Sequence, residues 1–186
     1  MAHLRYWINT SLDGYIADAD GSFDWGAPDP ELHAFYNEQE RELGTHLYGR
    51  RLYELMRSWE AAPEPPDRPP VEAEYARIWQ AADKVVYSRT LAGVDTRRTE
   101  LVREFDADDV ARRKASADRD LSIGGAELAA VAVRAGLVDE VGLVVHPVVV
   151  GGGTRALPQD VRLDLALLGE RRLPGGVVHL RYRVRH

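Results

Sequence analysis

The chain has 186 residues, 29% of them charged and 45% hydrophobic, with a formal net charge of −6. That is enough chain for a single domain over residues 1–186 with a sizeable core, and too apolar for a disordered segment. The acidic balance argues against general nucleic-acid binding, which needs a basic face, and the lack of cysteine excludes disulfides, thiolate zinc sites and cysteine nucleophiles. Met-Ala-His-Leu-Arg runs straight into strand-like sequence, with no signal peptide and no long apolar run. A cytoplasmic protein without a membrane partner is the expectation.

Residues 3–12 alternate, with Leu4, Tyr6, Ile8, Thr10 and Leu12 on one face and Arg5, Trp7, Asn9 and Ser11 on the other, as a strand would. Asp13-Gly14 is turn chemistry, and Asp18 to Pro30 reads as a loop. Asp29 suits a helix cap and Pro30 the first helical position, ahead of a stripe of Leu32, Phe35, Tyr36 and Leu43. A short strand through Leu47-Tyr48 then meets Gly49 and a second helix, where Leu52, Leu55, Met56 and Trp59 recur at helical spacing. Pro63 to Pro70 reads as a surface excursion. A helix over 71–82 leads into a strand at 84–87, followed by a short strand at 99–103 and a solvated helix over 106–117. Leu121-Ser122-Ile123 enters Gly124-Gly125 and a helix carrying Leu128, Val131, Ala132 and Ala135, which Gly136 ends. Val141 to Val150 is nearly continuous apolar sequence, interrupted by Pro147 at a bulge or strand boundary. Val178, Leu180, Tyr182 and Val184 alternate with His179, Arg181, Arg183 and Arg185 after the turn Pro174-Gly175-Gly176. Helices between strands, closed by a hairpin, make an α/β layered domain with a mixed sheet.

Three strand ends carry chemistry. Gly49-Arg50-Arg51 places two cations in the first turn of a helix, which is unfavourable unless an anion sits between them. A phosphate fits there, and two solvated arginines is the alternative. Tyr87-Ser88-Arg89-Thr90 offers hydroxyls and a guanidinium to a ribose phosphate, or is an ordinary loop. Ile123-Gly124-Gly125-Ala126-Glu127-Leu128 admits a ligand close to backbone at a helix N-terminus, or simply packs tightly. Neither a G-x-G-x-x-G fingerprint nor a P-loop is present.

Five pieces in this order resemble the dihydrofolate reductase superfamily: Ser11-Leu12-Asp13-Gly14-Tyr15-Ile16-Ala17, Tyr48 to Glu54, Tyr87 to Leu91, Ile123 to Ala129 and Gly136 to Glu140. The resemblance is closest to the branch holding the reductase domain of riboflavin biosynthesis. It implies an α/β three-layer sandwich with a mixed, mostly parallel central sheet and a C-terminal antiparallel hairpin. It also implies NADPH over the strand ends, with Arg50, Arg51, Ser88 and Arg89 around the 2′-phosphate and Gly124, Gly125 and Ala126 facing the pyrophosphate. Gly49, Leu52, Ile123, Glu127 and Leu128 complete the implied cofactor set. Leu52 stands where family members often have Thr or Ser, which removes a phosphate-binding hydroxyl.

By the same resemblance, Glu31, following Trp25 and the Pro28-Asp29-Pro30 run, is the candidate catalytic acid. Reducing a C=N bond needs a proton at nitrogen, and a cleft carboxyl supplies one; the alternative is an acid that complements a helix dipole. Asp13, Trp25 and Glu31 form the expected substrate side. His146 reads as a satisfied core histidine, and the six histidines show no metal-ligand pairing. A reductase resembling 5-amino-6-(5-phosphoribosylamino)uracil reductase is expected, acting on a pyrimidine or pteridine. The alternatives are folate-type reduction and a nucleotide sensor without turnover. A small heterocyclic substrate and a homodimer are the expected partners. The zinc deaminase unit that precedes the reductase in the bifunctional riboflavin protein has neither room nor cysteine ligands here.

Overall fold

A computed structural model of the protein describes residues 1–61 and 66–185. Among the described residues, ten strands and five α-helices run in the order β1 (Leu4–Ser11), β2 (Tyr15–Ala17), α1 (Pro30–Glu40), β3 (Leu43–Gly49), α2 (Arg50–Met56), α3 (Pro70–Ala81), β4 (Asp83–Tyr87), β5 (Thr99–Val102), α4 (Ala107–Ser116), β6 (Asp120–Gly124), α5 (Ala126–Arg134), β7 (Glu140–His146), β8 (Thr154–Arg155), β9 (Asp164–Arg172) and β10 (Val178–Arg185). Eight strands form one sheet in the order β5-β4-β3-β6-β1-β7-β10-β9. The first six are mutually parallel, and β10 and β9 add the antiparallel hairpin. The mixed, mostly parallel sheet with its terminal hairpin is the expected class.

Local chemistry sets the helix ends. The Asp29 carboxylate accepts from the backbone N–H groups of Glu31 and Leu32 (3.1 and 2.8 Å), satisfying two of the four donors a helix start leaves open. Gly136, at φ +67°, closes α5. Its N–H reaches the Val133 carbonyl, and Leu137 N–H reaches that of Ala132.

Both faces of β1 are covered. Leu4 and Tyr6 face a core with Leu47, Val85, Leu121, Ile123, Val110 and Ala132, between the sheet and the helices α4 and α5. On the other face, Leu32 and Phe35 of α1 pack Val144, Leu173 and Val177, while Trp79 of α3 packs Tyr48, Tyr53 and Val86. Alternation therefore marked two buried faces, not a buried and a wet one.

The second face carries a polar row that the register fixes. Thr99, Lys84, His46, Ser122, Arg5, Glu140 and Arg183 lie side by side on seven neighbouring strands. Lys84, His46, Arg5 and Glu140 are all buried. Burial this deep is tolerated only with partners. Lys84 Nζ donates to the Trp79 carbonyl (3.1 Å) and lies over its indole, and Ser122 Oγ meets His46 Nδ1 at 2.7 Å. Arg5 contacts Glu42, Asp120 and Glu140.

Several boundaries differ from the sequence reading. Leu43 opens β3 and does not extend the stripe of α1, which ends at Glu40. The second helix stops at Met56; Trp59 lies in a 3-10 turn over 57–61, and Leu55 is exposed. The strand expected over 141–150 ends at His146, directly before Pro147, which cannot donate to the ladder. Of the proline-rich excursion, residues 63–65 lie outside the described residues, and Pro70 opens α3 at a position that suits its missing N–H. The helix over 107–116 is solvated but buries Val110 and Lys114. Among the described residues no helix is long and apolar enough to cross a membrane.

Candidate functional site

The three motif-bearing strand ends belong to β3, β4 and β6, which are neighbours in the order β4-β3-β6. All three run parallel, so their C-terminal ends open on the same edge of the sheet. Tyr48 pairs with Gly124 and Gly49 pairs with Tyr87, which places the Gly49, Ser88 and Gly124-Gly125 turns in one line. Ligands of open α/β sheets bind along this edge.

Each turn is built differently. The Ser88 hydroxyl accepts from the backbone N–H groups of Thr90 and Leu91 (3.3 and 3.0 Å), so it first shapes its own turn. A Cβ at Gly124 would collide with Leu52 Cδ2, and Gly124 is therefore where α2 sits down on β6. Gly125 is the residue before α5, at φ +89° and ψ 121°, a conformation side chains rarely adopt. Nothing lies within 4 Å of the Cβ direction there, so the approach to the first N–H groups of α5 is open. Ile123 is buried beneath, and Ala126 and Leu128 are half-buried in the first turn of α5.

The arginines do not meet at one point. Arg50 binds Glu54 (2.8 Å) and Thr90 Oγ1 (2.9 Å), tying the first turn to the second. Arg51 extends the other way, to Glu127 at 3.7 Å, with both side chains 90% exposed. Arg89 is exposed in the wall of a cavity of about 400 Å³, with Tyr87, Ser88, Arg103, Glu104 and Phe105. A larger cavity of about 470 Å³ opens at the opposite end of the sheet, beside Lys84, Arg98 and Arg113, away from every motif residue.

The other part of the site lies on β1 and β7. The Asp13 carboxylate accepts from Val150 N–H (3.1 Å) and Gly151 N–H (2.8 Å), clamping the segment after β7 to the end of β1. A hydrogen bond from Ser11, then those from Gly151 and Val150, holds this carboxyl below the usual range. Trp25 lies in a 3-10 turn over Asp24–Gly26, with its ring edge-on to His146 at 5.5 Å between centroids. Glu31 is exposed in the first turn of α1. Leu32, beside it, packs against Val144 of β7, so α1 begins over this end of the sheet.

Three residues of this region escaped sequence reading. Asn9 is exposed although β1 is interior to the sheet, and its Oδ1 accepts from the Tyr36 hydroxyl at 2.7 Å. An exposed amide on an interior strand shows that α1 leaves this end of β1 open to solvent. The only trace in the sequence was Asn9 lying two residues before Ser11 on one face. His146 is buried, as expected, but its Nε2 has no partner and so it is not satisfied. Burial pulls its pKa down, leaving a neutral ring.

The chain's likeness to known proteins accords with this geometry. The model of the RibD C-terminal domain matches residues 2–178. The protein named "Uncharacterized protein YyaP" of Bacillus subtilis (strain 168) is 31% identical over 178 residues, spanning 94% of this chain and 91% of that one. A putative riboflavin biosynthesis protein from Shewanella sp. PV-4 superposes with a TM-score of 0.78 at 22% identity over the whole of both chains. Acinetobacter baumannii RibD superposes at 0.74 and 16% identity, over all of this chain and 58% of the longer protein. By family match and fold, the chain belongs to the RibD C-terminal domain family, the riboflavin-pathway-type reductase domains.

Proposed function

We propose that the protein is an NADPH-dependent reductase of a pyrimidine- or pteridine-type substrate, resembling 5-amino-6-(5-phosphoribosylamino)uracil reductase. The alignment of the Gly49, Ser88 and Gly124-Gly125 turns on three adjacent parallel strand ends carries this reading. A dinucleotide needs a long track with close backbone approach at its pyrophosphate, and the open Cβ direction at Gly125 beside the start of α5 fits one. NADPH supplies a hydride when bound.

Arg51 and Arg89 are the residues to hold the 2′-phosphate, with Arg50 fixing the second turn through Thr90. The Arg51–Glu127 pair is fully solvated and contributes little, so it releases Arg51 at small cost. Gly125, next to the packed Gly124, lets the pyrophosphate approach, and the first N–H groups of α5 bind it. Leu52 gives no hydroxyl, and its part is to pack on Gly124. Asn9 and Tyr36 floor the substrate cleft, and Glu31, at the start of α1, is the proposed proton donor to the substrate nitrogen.

Tryptophan fluorescence titrated with NADPH and NADH, followed by NADPH consumption with diaminopyrimidine, pteridine and quinone acceptors, tests this reading. Tighter binding of NADPH and consumption with a pyrimidine or pteridine are expected. Equal affinity for the two cofactors would remove the 2′-phosphate assignment. Binding without consumption across the panel would make the chain a nucleotide sensor.

A homodimer belongs to the same proposal. Both edges of β10 are already paired, to β7 and β9, so the hairpin's free edge is that of β9, at the end of the sheet opposite β5, and it exposes Leu165, Leu167 and Leu168. Asp164 and Arg172 at its two ends are complementary in an antiparallel self-pairing. Light scattering should find twice the 20.8 kDa chain mass, and a species at that mass alone would end the dimer proposal.

A further inference from the structure

Two rings in contact each bury a nitrogen without a hydrogen-bond partner: Trp25 Nε1 and His146 Nε2. The rings meet edge-to-face at 5.5 Å and 71°, and Gly26 closes over His146 so that a Cβ there would lie 3.9 Å from Nε2. Burying a polar atom unpaired is costly, and the cost persists where function keeps it.

Other ring nitrogens are unpartnered too, among them those of Trp7, His46 and His179. What sets His146 apart is its cover. His179 and Trp7 stack on each other beneath Phe35 of α1, and His46 stacks on Tyr48 with Ser122 on its other nitrogen. His146 is covered by the 3-10 turn of residues 24–26, in a segment bonded only to itself and its own base. Asp18 accepts from Asp20 and Ser22, Asp24 N–H reaches the Ser22 hydroxyl, Gly26 N–H reaches Phe23, and Ala27 N–H reaches Asp24. Among the described residues, no hydrogen bond ties residues 19–28 to the sheet or to α1. The segment has no buried residue in its 3-10 turn, and Phe23 is half exposed. Its hold on His146 is the packing of Trp25 and Gly26, with no hydrogen bond to break.

We propose that His146 is a substrate-contacting residue of the reductase site, covered here by Trp25 and presented to the lactam edge of a ring when residues 19–28 swing away. This rests on the reductase reading above. Ser11 pairs with His146 and Asn9 with Val144, so Asn9 and His146 project from one face on neighbouring strands, two residues apart in register. The Tyr36 hydroxyl occupies Asn9 Oδ1 and leaves the amide N–H₂ to donate. A ring carbonyl accepts from Asn9, and the adjacent ring N–H faces the imidazole nitrogen. A carboxylate or phosphate finds no cation in this pair.

Two measurements test the cover and the contact separately. Diethyl pyrocarbonate modification mapped by peptide mass should be slow at His146 in the wild type and at least about tenfold faster in Trp25→Ala, with His46 slow in both proteins. A rate unchanged by Trp25→Ala overturns the cover. In the NADP⁺-loaded protein, 5,6-diaminouracil and pterin are the probes, with affinities read by calorimetry. His146→Phe, which keeps the ring volume, should weaken the tighter probe by about tenfold or more, and His146→Gln, which restores a polar atom near Nε2, should recover part of it. NADP⁺ affinity should stay within about twofold in both variants. Undiminished probe affinity in a folded His146→Phe, or no binding of either probe to the NADP⁺-loaded wild type, overturns the contact. A wild type that binds no NADP⁺ instead refutes the reductase reading, and the modification experiment still decides the cover.

Discussion

The two ends of one sheet are built to opposite standards. At the N-terminal ends of the parallel strands, Arg5 is gripped by Glu42 (2.6 Å), Asp120 (2.5 Å) and Glu140, and Arg181 adds a second cation to Glu140 at 2.8 Å. Lys114 pairs with Asp139 at 2.6 Å and donates to the Leu137 carbonyl, while Asp139 also takes the Leu4 N–H. At the C-terminal ends, the glycines leave backbone open, Asn9 and Arg89 face solvent, and Trp25 and His146 bury unpaired nitrogens. The first end pairs its charges with one another and fixes the strands, although Arg5 Nε, 3.7 Å from Glu140, makes no hydrogen bond. The other keeps its polar groups available, which is possible because the first holds the sheet in register.

Breaking the saturated end should produce the largest effect. Arg5→Leu removes the cation shared by three carboxylates and leaves Glu140, 2% exposed, with Arg181 and His3 as its partners among the described residues. A destabilisation of about 3–5 kcal/mol is expected, because the charge left behind cannot reach water. Urea unfolding should show it, while NADPH affinity of the folded fraction stays unchanged below the transition. A loss under about 1 kcal/mol would mean that the network is dispensable.

That network was hidden from sequence reading, and the reason is general. Arg5, Lys84, His46 and Glu140 sit at alternate positions of strands, where a charged residue reads as the wet face. Only the pairing of seven strands shows that these positions form one buried row. Features set by local chemistry were legible: the Asp29 cap, the Gly136 helix stop, the Pro147 strand end and the glycine turns. Leu43 was misplaced because one leucine fits a helical stripe and a strand start equally well. The β2–β8 pair escaped because strands of three and two residues carry no periodicity. In the site, the three strand-end motifs were legible from residue chemistry and their cofactor roles came from resemblance, whereas Asn9, Tyr36 and the orphaned His146 nitrogen depend on contacts between distant segments.

At the open end, Gly125→Val strains a backbone at φ +89° by about 1–3 kcal/mol and places a side chain over the first N–H groups of α5. NADPH binding should be lost in a variant whose circular dichroism remains native. Gly152→Ala, with ordinary backbone and nothing within 4 Å, should change neither. A folded Gly125→Val that binds NADPH normally would limit the glycine pair to packing.

Asp13 joins the two kinds of construction, since it is a site-side residue engaged in structural bonds. Asp13→Ala removes the acceptor of two backbone N–H groups in a solvent-accessible place, where water replaces much of it. Faster hydrogen exchange at Val150 and Gly151 is expected, with only a small loss of overall stability. Exchange unchanged at both amides would show that the segment after β7 is held by other contacts.

The smallest expected effect is a pH dependence arising in the buried row itself, at His46 and the neighbouring Glu40 of α1. Burial pushes Glu40 up to about 7 and pulls His46 down to about 3, with Lys84 and Arg119 adding to the fall. The nearest Glu40 oxygen lies 3.5 Å from His46 Nε2. For Glu40 the folded chain keeps a proton that the unfolded chain releases near pH 4.3, so stability falls as pH rises from roughly 4.3 to 7. For His46 the unfolded chain holds a proton that the folded chain rejects, so stability rises with pH from about 3 to 6.5. The two slopes have opposite sign where they overlap, and the melting temperature should be nearly flat between about pH 4.5 and 6.5. Glu40→Gln keeps the shape and removes one slope, so its melting temperature should climb with pH across that window, by a few degrees. A flat profile in the variant would mean that His46 does not hold the neutral state its burial demands, and that the row beneath α1 is wetter than the saturated end beside it.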